Sequence, residues 1–238
     1  MTNVDVVIVS WAKNDNLHQV TKKGIDSLLK SESNIRFHIY VVESNPDTKY
    51  EEYNQNEFGH TCRTIHPEDK TFGYHKYLNL GRKQGDSKYV VLCNNDLTYE
   101  SEWASKIVEQ MEQKPYILSA SPWCPQTQGA NTQVLDKKIF FGHNVRGELA
   151  GWCIFQKREI YETIGDLDEE FTCWYCDNDY GMTLLSKGII HALVVESVVN
   201  HHEKTIGKTI ESYEGDKIRD ITVLQGHKFE KKWRKVQA

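Results

Sequence analysis

The sequence predicts an α/β domain of the doubly wound type, a single domain on a mostly parallel central sheet. Three observations carry that expectation. Apolar runs of strand length are dense in Val and Ile, and stretches with helical spacing alternate with them. One run, Val90-Val91-Leu92-Cys93, stops abruptly on Asn94-Asn95-Asp96. Strands buried on both faces read as continuous apolar runs, and ligands of open α/β sheets collect just beyond their carboxyl ends. Asp96 therefore stands where a ligand-bound metal is held, although Asn and Asp also form ordinary turns after strands.

Taken in order, Val4 to Ser10 is the first strand, and the polar run Trp11 to Gln19 leads into a helical stretch around Gly24 to Lys30. Phe37 to Val42 is the second strand, and it ends on Glu43-Ser44-Asn45-Pro46, where Pro46 bars simple continuation of the ladder. Gly73 to Gly85 is helical at its centre and precedes the Val90 to Cys93 strand. Trp103 to Gln113 carries Ile107, Val108 and Met111 at helical spacing. Cys124 to Glu148 is rich in Gln, Asn, Thr and Gly, with a short apolar patch at Ile139 to Phe141, and reads as a substrate-side excursion from the core. Leu193 to Val199 is the last core strand, followed by Asn200-His201-His202.

The 238 residues suit one large core, with a domain over residues 1–205 and a basic helical extension over 206–238 packed on it or trailing it. No apolar run approaches the roughly 20 residues needed to span a bilayer, and the amino end lacks a charged, apolar, cleavable signal. A soluble, cytoplasmic protein is expected. The six cysteines fit that compartment as free thiols, because Cys173-x-x-Cys176 has no second pair to complete a zinc site. The tail places Lys228, Lys231, Lys232, Arg234 and Lys235 among Phe229, Glu230 and Trp233, a composition suited to phosphates of nucleic acid, to an anionic membrane surface or to a solvated helix. A formal charge of −5 argues against a chain built mainly to bind nucleic acid.

Several segments in order resemble a known family. Gly73-Tyr74 through Asn79-Leu80-Gly81, then Tyr89 to Asp96, Gly151-Trp152-Cys153-Ile154-Phe155, Ile164 to Phe171, Tyr175-Cys176-Asp177-Asn178-Asp179 and Gly188 are similar to the motif series of family 2 glycosyltransferases with a GT-A fold. The similarity runs over roughly residues 4 to 202. It implies transfer of a sugar, with inversion, from a nucleotide-diphosphate donor, a UDP-sugar foremost, to a saccharide or other hydroxyl acceptor, assisted by Mn²⁺ or Mg²⁺.

By that resemblance Asp96 is the metal ligand and Asn94 faces the donor, with Asn95 between them. A further metal or phosphate contact comes from His201 or His202, between which the sequence does not choose. Asp177 takes the position of the base that removes the acceptor proton, although Cys176 stands where an acidic residue usually precedes it. Ser10 and Trp11 after the first strand, Glu43 after the second and Asn79 in the following helix take positions that contact the nucleotide. Trp152 and Trp174 are candidates for an acceptor platform or for packing.

The chemistry explains these residue types. A departing nucleoside diphosphate concentrates negative charge that an oxygen-ligated divalent cation stabilises, and the attacking hydroxyl needs a carboxylate within hydrogen-bonding reach. Three other readings remain open: sugar transfer to a modified base in DNA by the same chemistry, a sugar nucleotidyltransferase, and a catalytically silent sugar-nucleotide-binding module. The second wants a glycine-rich phosphate loop after the first strand, and Ser10-Trp11-Ala12-Lys13-Asn14 supplies no glycine.

Overall fold

A computed structural model of the chain describes residues 1–54, 57–69, 71–128, 138–202 and 215–234, with side chains described throughout except over 215–220. Its first half runs β1 (Thr2–Ser10), α1 (Asp15–Lys30), β2 (Ile35–Glu43), a short 3-10 turn (Glu51–Asn54), β3 (Thr61–Ile65), α2 (Tyr74–Arg82) and β4 (Tyr89–Asn94). There follow β5 (Leu97–Tyr99), α3 (Trp103–Gln113), β6 (Ser119–Trp123), β7 (Ile139–Phe141), β8 (Cys153–Lys157), α4 (Ile160–Ile164), α5 (Cys176–Ser186), β9 (His191–His201) and a last helix, α6 (Gly215–Trp233).

The strands form one nine-stranded sheet in the order β3-β2-β1-β4-β8-β6-β9-β5, with β7 paired to β9. β1, β2, β3 and β4 are mutually parallel, and β6 and β9 run the same way; β5, β7 and β8 are antiparallel to their neighbours. The mostly parallel sheet expected from the apolar runs is therefore present, with antiparallel β8 inserted beside β4.

Alternation along the strands divides the core into two layers. Val4, Val6 and Ile8 of β1 pack with Ile25 and Leu28 of α1 and Trp103, Ile107 and Met111 of α3. Val7 and Val9 face the other way, with Tyr77 and Leu78 of α2 and Tyr180 and Leu184 of α5. Each such aliphatic side chain contributes about 1.5–3 kcal/mol when fully buried. On that second face α2 lies tight against β1, since a Cβ on Gly81 would fall 2.3 Å from Val7 Cγ1.

Several boundaries differ from those expected. α1 begins inside the polar run after β1, because the Asn14 side chain accepts a hydrogen bond from Leu17 N at 3.0 Å and caps the helix there. The polar residues of that run belong to its first turns. β9 extends through His201, so this histidine lies on the strand and not after it. The excursion after β6 contributes β7 at its apolar patch, and residues 129–137 lie outside the described residues.

α6 packs on the segment between α4 and α5. Gln225 accepts from Thr172 N at 3.0 Å and donates to Glu170 O at 3.2 Å, while Phe229 meets Tyr175 with ring centroids 5.4 Å apart. Among the described residues no helix is long and apolar enough to cross a membrane.

Candidate active site

The Asn94-Asn95-Asp96 turn sits at the carboxyl end of β4 and is held from both sides by backbone. Asn94 N donates to Trp152 O, and His202 N donates to Asp96 O, each at 2.9 Å. Asp96 is only 3 % exposed, and its Oδ1 lies 3.3 Å from His201 Nε2. The other ring nitrogen of His201, Nδ1, is buried and has no hydrogen-bond partner among the described residues. Trp152 stacks on this imidazole with centroids 5.4 Å apart, and Asn94 Nδ2 lies 3.4 Å from Nε2.

His202 faces elsewhere, with Nε2 2.9 Å from Thr98 Oγ1 on the exposed edge between β5 and β9. Of the two histidines, His201 is the one beside Asp96, because alternation along β9 sends neighbouring side chains to opposite faces.

A carboxylate oxygen and an imidazole nitrogen suit Mn²⁺ or Mg²⁺ as ligand types, Mn²⁺ the better of the two for the imidazole. Two adjacent ligands of an octahedral cation, each about 2.1 Å from it, stand about 3 Å apart, close to the Asp96–His201 separation. Among the described residues no group of three or more His, Cys, Asp or Glu is placed to hold a metal. A cation held by Asp96 and His201 would thus take its remaining ligands from phosphate oxygens and water.

Asp177 lies in the first turn of α5 and is linked to the end of β4 through Tyr74 and Gly151. Tyr74 Oη donates to Asn94 Oδ1 at 2.7 Å and lies 3.5 Å from Gly151 O, and Gly151 in turn backs onto Asp177. A Cβ on Gly151 would fall 2.5 Å from Asp177 Cβ, so only glycine admits this carboxylate so close to the strand end. Asn94, Tyr74, Gly151 and Asp177 form one contiguous path.

Burial pushes the Asp177 carboxyl above the usual aspartate range, opposed by the backbone N–H of Asn178 and by the nearby positive charge of Arg146. Asp177 Oδ1 accepts from Asn178 N at 2.9 Å, and no described side chain hydrogen-bonds it. Tyr175 is the N-cap residue of α5, and it makes no side-chain capping bond. Asp179 is different: at 2 % exposure it accepts from Trp233 Nε1 at 2.8 Å and pairs with Lys232 at 2.7 Å.

The residues expected to contact the nucleotide divide into two sets. Trp11 is half-buried at the end of β1, with Lys13 Nζ 4.6 Å from its ring centroid. Asn95 is also half-buried, and its amide donates to Thr21 Oγ1 at 3.0 Å. By contrast Ser10, Glu43 and Asn79 are buried and engaged with the protein itself. Glu43 accepts from Ala12 N, Asn45 N and Tyr50 Oη at 3.0, 2.8 and 3.1 Å, which fixes the loops after β1 and β2 against each other. Ser10 Oγ lies 2.9 Å from Thr21 Oγ1. Asn79 accepts from Leu167 N and donates to Leu167 O, so it pins the turn before α5 to α2.

The sequence did not single out Tyr74 for a role, nor Arg146, whose positive φ of 63° is uncommon outside glycine. Tyr74 stood within the first motif, beside Gly73. The C-x-x-C is a packing feature, with Cys173 exposed and Cys176 buried against Phe171 O. In the tail, Lys232 and Lys228 turn toward the domain, to Asp168 and to Glu170 O, while Lys235 lies outside the described residues.

Among solved structures, the chain is similar in fold to TarS of S. aureus (residues 1–349), with a TM-score of 0.61 and 12 % identity over 84 % of this chain and 59 % of that one. It is similar to the same degree, TM-score 0.61 and 12 % identity over 84 % of its length, to GalNAc-T7 with UDP, GalNAc and Mn²⁺, of which it spans 43 %. Both are GT-A glycosyltransferases, and the chain spans less than two thirds of either. A search among curated proteins finds no match. The model of glycosyl transferase family 2 matches residues 5–172, from the first strand through the turn that leads into α5. With the sheet order, the Asn94–Asp96 turn and the neighbouring Asp177 in place, the chain belongs to glycosyl transferase family 2.

Proposed function

We propose that the protein transfers a sugar from a nucleotide-diphosphate donor, with UDP the favoured nucleotide, to an acceptor hydroxyl with inversion at the anomeric carbon. The observation that carries this reading is the path from Asn94 through Tyr74 and Gly151 to Asp177, which joins the metal-type turn to a half-buried carboxylate. The GalNAc-T7 structure holds UDP and Mn²⁺, which supports the same nucleotide and cation here.

In this reading Asp96 and His201 hold a divalent cation, which supplies neutralisation of the charge that grows on the departing diphosphate. Trp152 keeps the His201 ring in place by stacking. Asn94 is oriented toward the donor by the hydroxyl of Tyr74. Trp11 and Asn95 line the nucleotide side, with Ser10, Glu43 and Asn79 fixing the loops that shape it.

Asp177 accepts the proton of the acceptor hydroxyl as that oxygen attacks the face opposite the leaving group. Its raised affinity for a proton suits this task, because a base works best when its pKa approaches the operating pH. The acceptor is a saccharide or another hydroxyl compound. Contact with nucleic acid has no support, since Lys228 and Lys232 are engaged with the protein's own segment. Six unpaired cysteines support a reducing, cytoplasmic setting. Residues 1–205 would form the catalytic domain, and 206–238 the extension that braces it.

The test is release of UDP from a panel of UDP-glucose, UDP-galactose and UDP-N-acetylglucosamine, with Mn²⁺ and with chelator. Release that requires the metal, with transfer to a hydroxyl acceptor giving the opposite anomer by NMR, is expected. A retained anomer would overturn inversion. Binding of UDP without any turnover would favour the silent module.

A further inference from the structure

Asp177 and Asp179 share the first turn of α5 but face different ways, since two helical residues place their side chains about 200° apart around the axis. Asp177 lies against Gly151, and Asp179 meets α6. Asp179 is a nearly fully buried carboxylate, and such a charge needs partners at hand. Both side-chain partners come from the last turn of α6, Trp233 through Nε1 and Lys232 through Nζ.

The same helix grips the chain leading into α5 at several further points. Lys232 also pairs with Asp168 at 2.7 Å, Lys228 reaches Glu170 O, and Gln225 satisfies both Thr172 N and Glu170 O. Tyr175, the residue that opens α5, has a φ of 62°, a left-handed conformation that a residue with a Cβ adopts only when its surroundings hold it there. Its ring packs against Phe229, and its hydroxyl comes within 3.1 Å of the place a Cβ on Gly226 would take. The backbone that carries Asp177 is thus fixed by α6, on the side of α5 that bears Asp179.

We propose that Trp233 and Lys232 are positioning residues for Asp177, acting through Asp179 and the first turn of α5. This rests on the reading of Asp177 as the base. α6 is then part of the catalytic apparatus and not a solvated tail. The groups facing Asp177 from its surroundings are Tyr74 and His75 of α2, Arg146 of the preceding loop and Cys176 of its own helix, none of which belongs to α6.

Trp233→Phe keeps the ring and deletes the donor, and Lys232→Met keeps the aliphatic stem and deletes the charge. UDP release with Mn²⁺ would be measured for both on the most active sugar of the UDP panel, beside Asp177→Asn and beside Leu224→Ala on the exposed side of α6. Each positioning variant is expected to lower kcat about tenfold with the donor KM nearly unchanged, after correction for folded fraction. The acid limb of the kcat profile should move to lower pH, because a loosened first turn admits water to Asp177 and lowers its pKa.

Unchanged kcat in both variants, with Asp177→Asn inactive, would overturn the proposal and leave the base reading intact. A loss that only tracks the folded fraction, with the pH profile unmoved, would also overturn it. Normal turnover in Asp177→Asn would remove the base reading and the proposal together.

Discussion

The ends of β1 and β2 and the first turn of α5 treat their polar groups in opposite ways. At the ends of β1 and β2, Glu43 is fully buried and receives three donors, and Ser10 is closed in by Thr21 and Tyr50. In the first turn of α5, Asp177 receives only backbone N–H groups among the described residues and is pushed toward its protonated form. A satisfied carboxylate stabilises a loop; an under-satisfied one is available to take a proton. The contrast separates a carboxylate engaged by the scaffold from one left with few partners, a distinction that residue type alone does not make.

The largest test of that contrast is Asp177→Asn. Turnover should drop by a factor on the order of 10² to 10⁴, with donor affinity retained. Stability should move the other way. The folded state raises the Asp177 pKa, so ionising this group costs stability as pH climbs from the ordinary aspartate value through the folded one. The Asn variant should therefore melt higher than the parent at neutral pH, and the gain should vanish under acid. Thermal melts across pH check the sign, and a lower melting temperature at pH 7 would place Asp177 with Glu43 among the scaffold carboxylates.

Gly151→Ala comes next. Its Cβ would meet that of Asp177 at 2.5 Å, so the carboxylate must shift, and a displacement of this size costs on the order of 10² in kcat. UDP affinity by calorimetry should stay near that of the parent; a loss of both together would mean that the two sides of the cleft are not separable.

Asp96→Ala should weaken Mn²⁺-dependent UDP binding by a factor on the order of 10 to 100 while leaving metal-free binding alone. Titration of UDP with and without Mn²⁺ would show it, and equal affinity in both would remove Asp96 from the metal site.

The smallest effect on chemistry, and the clearest on folding, is expected for Glu43→Gln. Replacing an acceptor that serves three donors by an amide leaves part of that network unpaired, at about 1–3 kcal/mol, or roughly 2–4 °C in Tm for each kcal/mol in a chain of this size. Turnover per folded molecule should change little. A large fall in nucleotide affinity with no change in Tm would instead make Glu43 a direct donor contact.

Much of the sheet around the Asn94–Asp96 turn was legible because its strands are plain. β1 and β2 are dense in Val and Ile, β4 reads as an unbroken apolar run from Tyr89 to Cys93, and the turn after β4 announced itself by its amides and carboxylate. β6 was not legible. Its residues Ser119-Ala120-Ser121-Pro122-Trp123 carry two serines that are buried to serve His191, whose imidazole burial drives down to a pKa of about 3, and a proline that marks a register shift against β9. A buried polar network looks like surface when only the sequence is read.

The site followed the same rule. Asp96, the His201-His202 pair and Asp177 stood out through the order of motifs, since their chemistry depends on residue type at a strand or helix end, and only the structure separates His201 from His202. What Asn79 does, and what Asp179 does, depends on partners far along the chain, Leu167 for the one and Trp233 for the other. Local pattern carries no trace of such pairings. The basic tail misled for a related reason: Lys232 is a cation whose counter-charges lie in a segment that composition cannot bring near it.

The stitching of the Asn94–Asp96 turn sets the order in which this protein can become competent. Its backbone is closed on one side by Trp152 and on the other by His202, both contributed long after β4 has left the ribosome. Contacts of such wide sequence separation form late and slowly, because loop closure must precede the reward of contact. A nascent or truncated chain that ends before β9 can hold the first four strands and still lack both the His202 closure of this turn and the His201 imidazole beside Asp96, so under the proposed function affinity for Mn²⁺ with UDP would report completion of the fold, not merely the presence of Asp96.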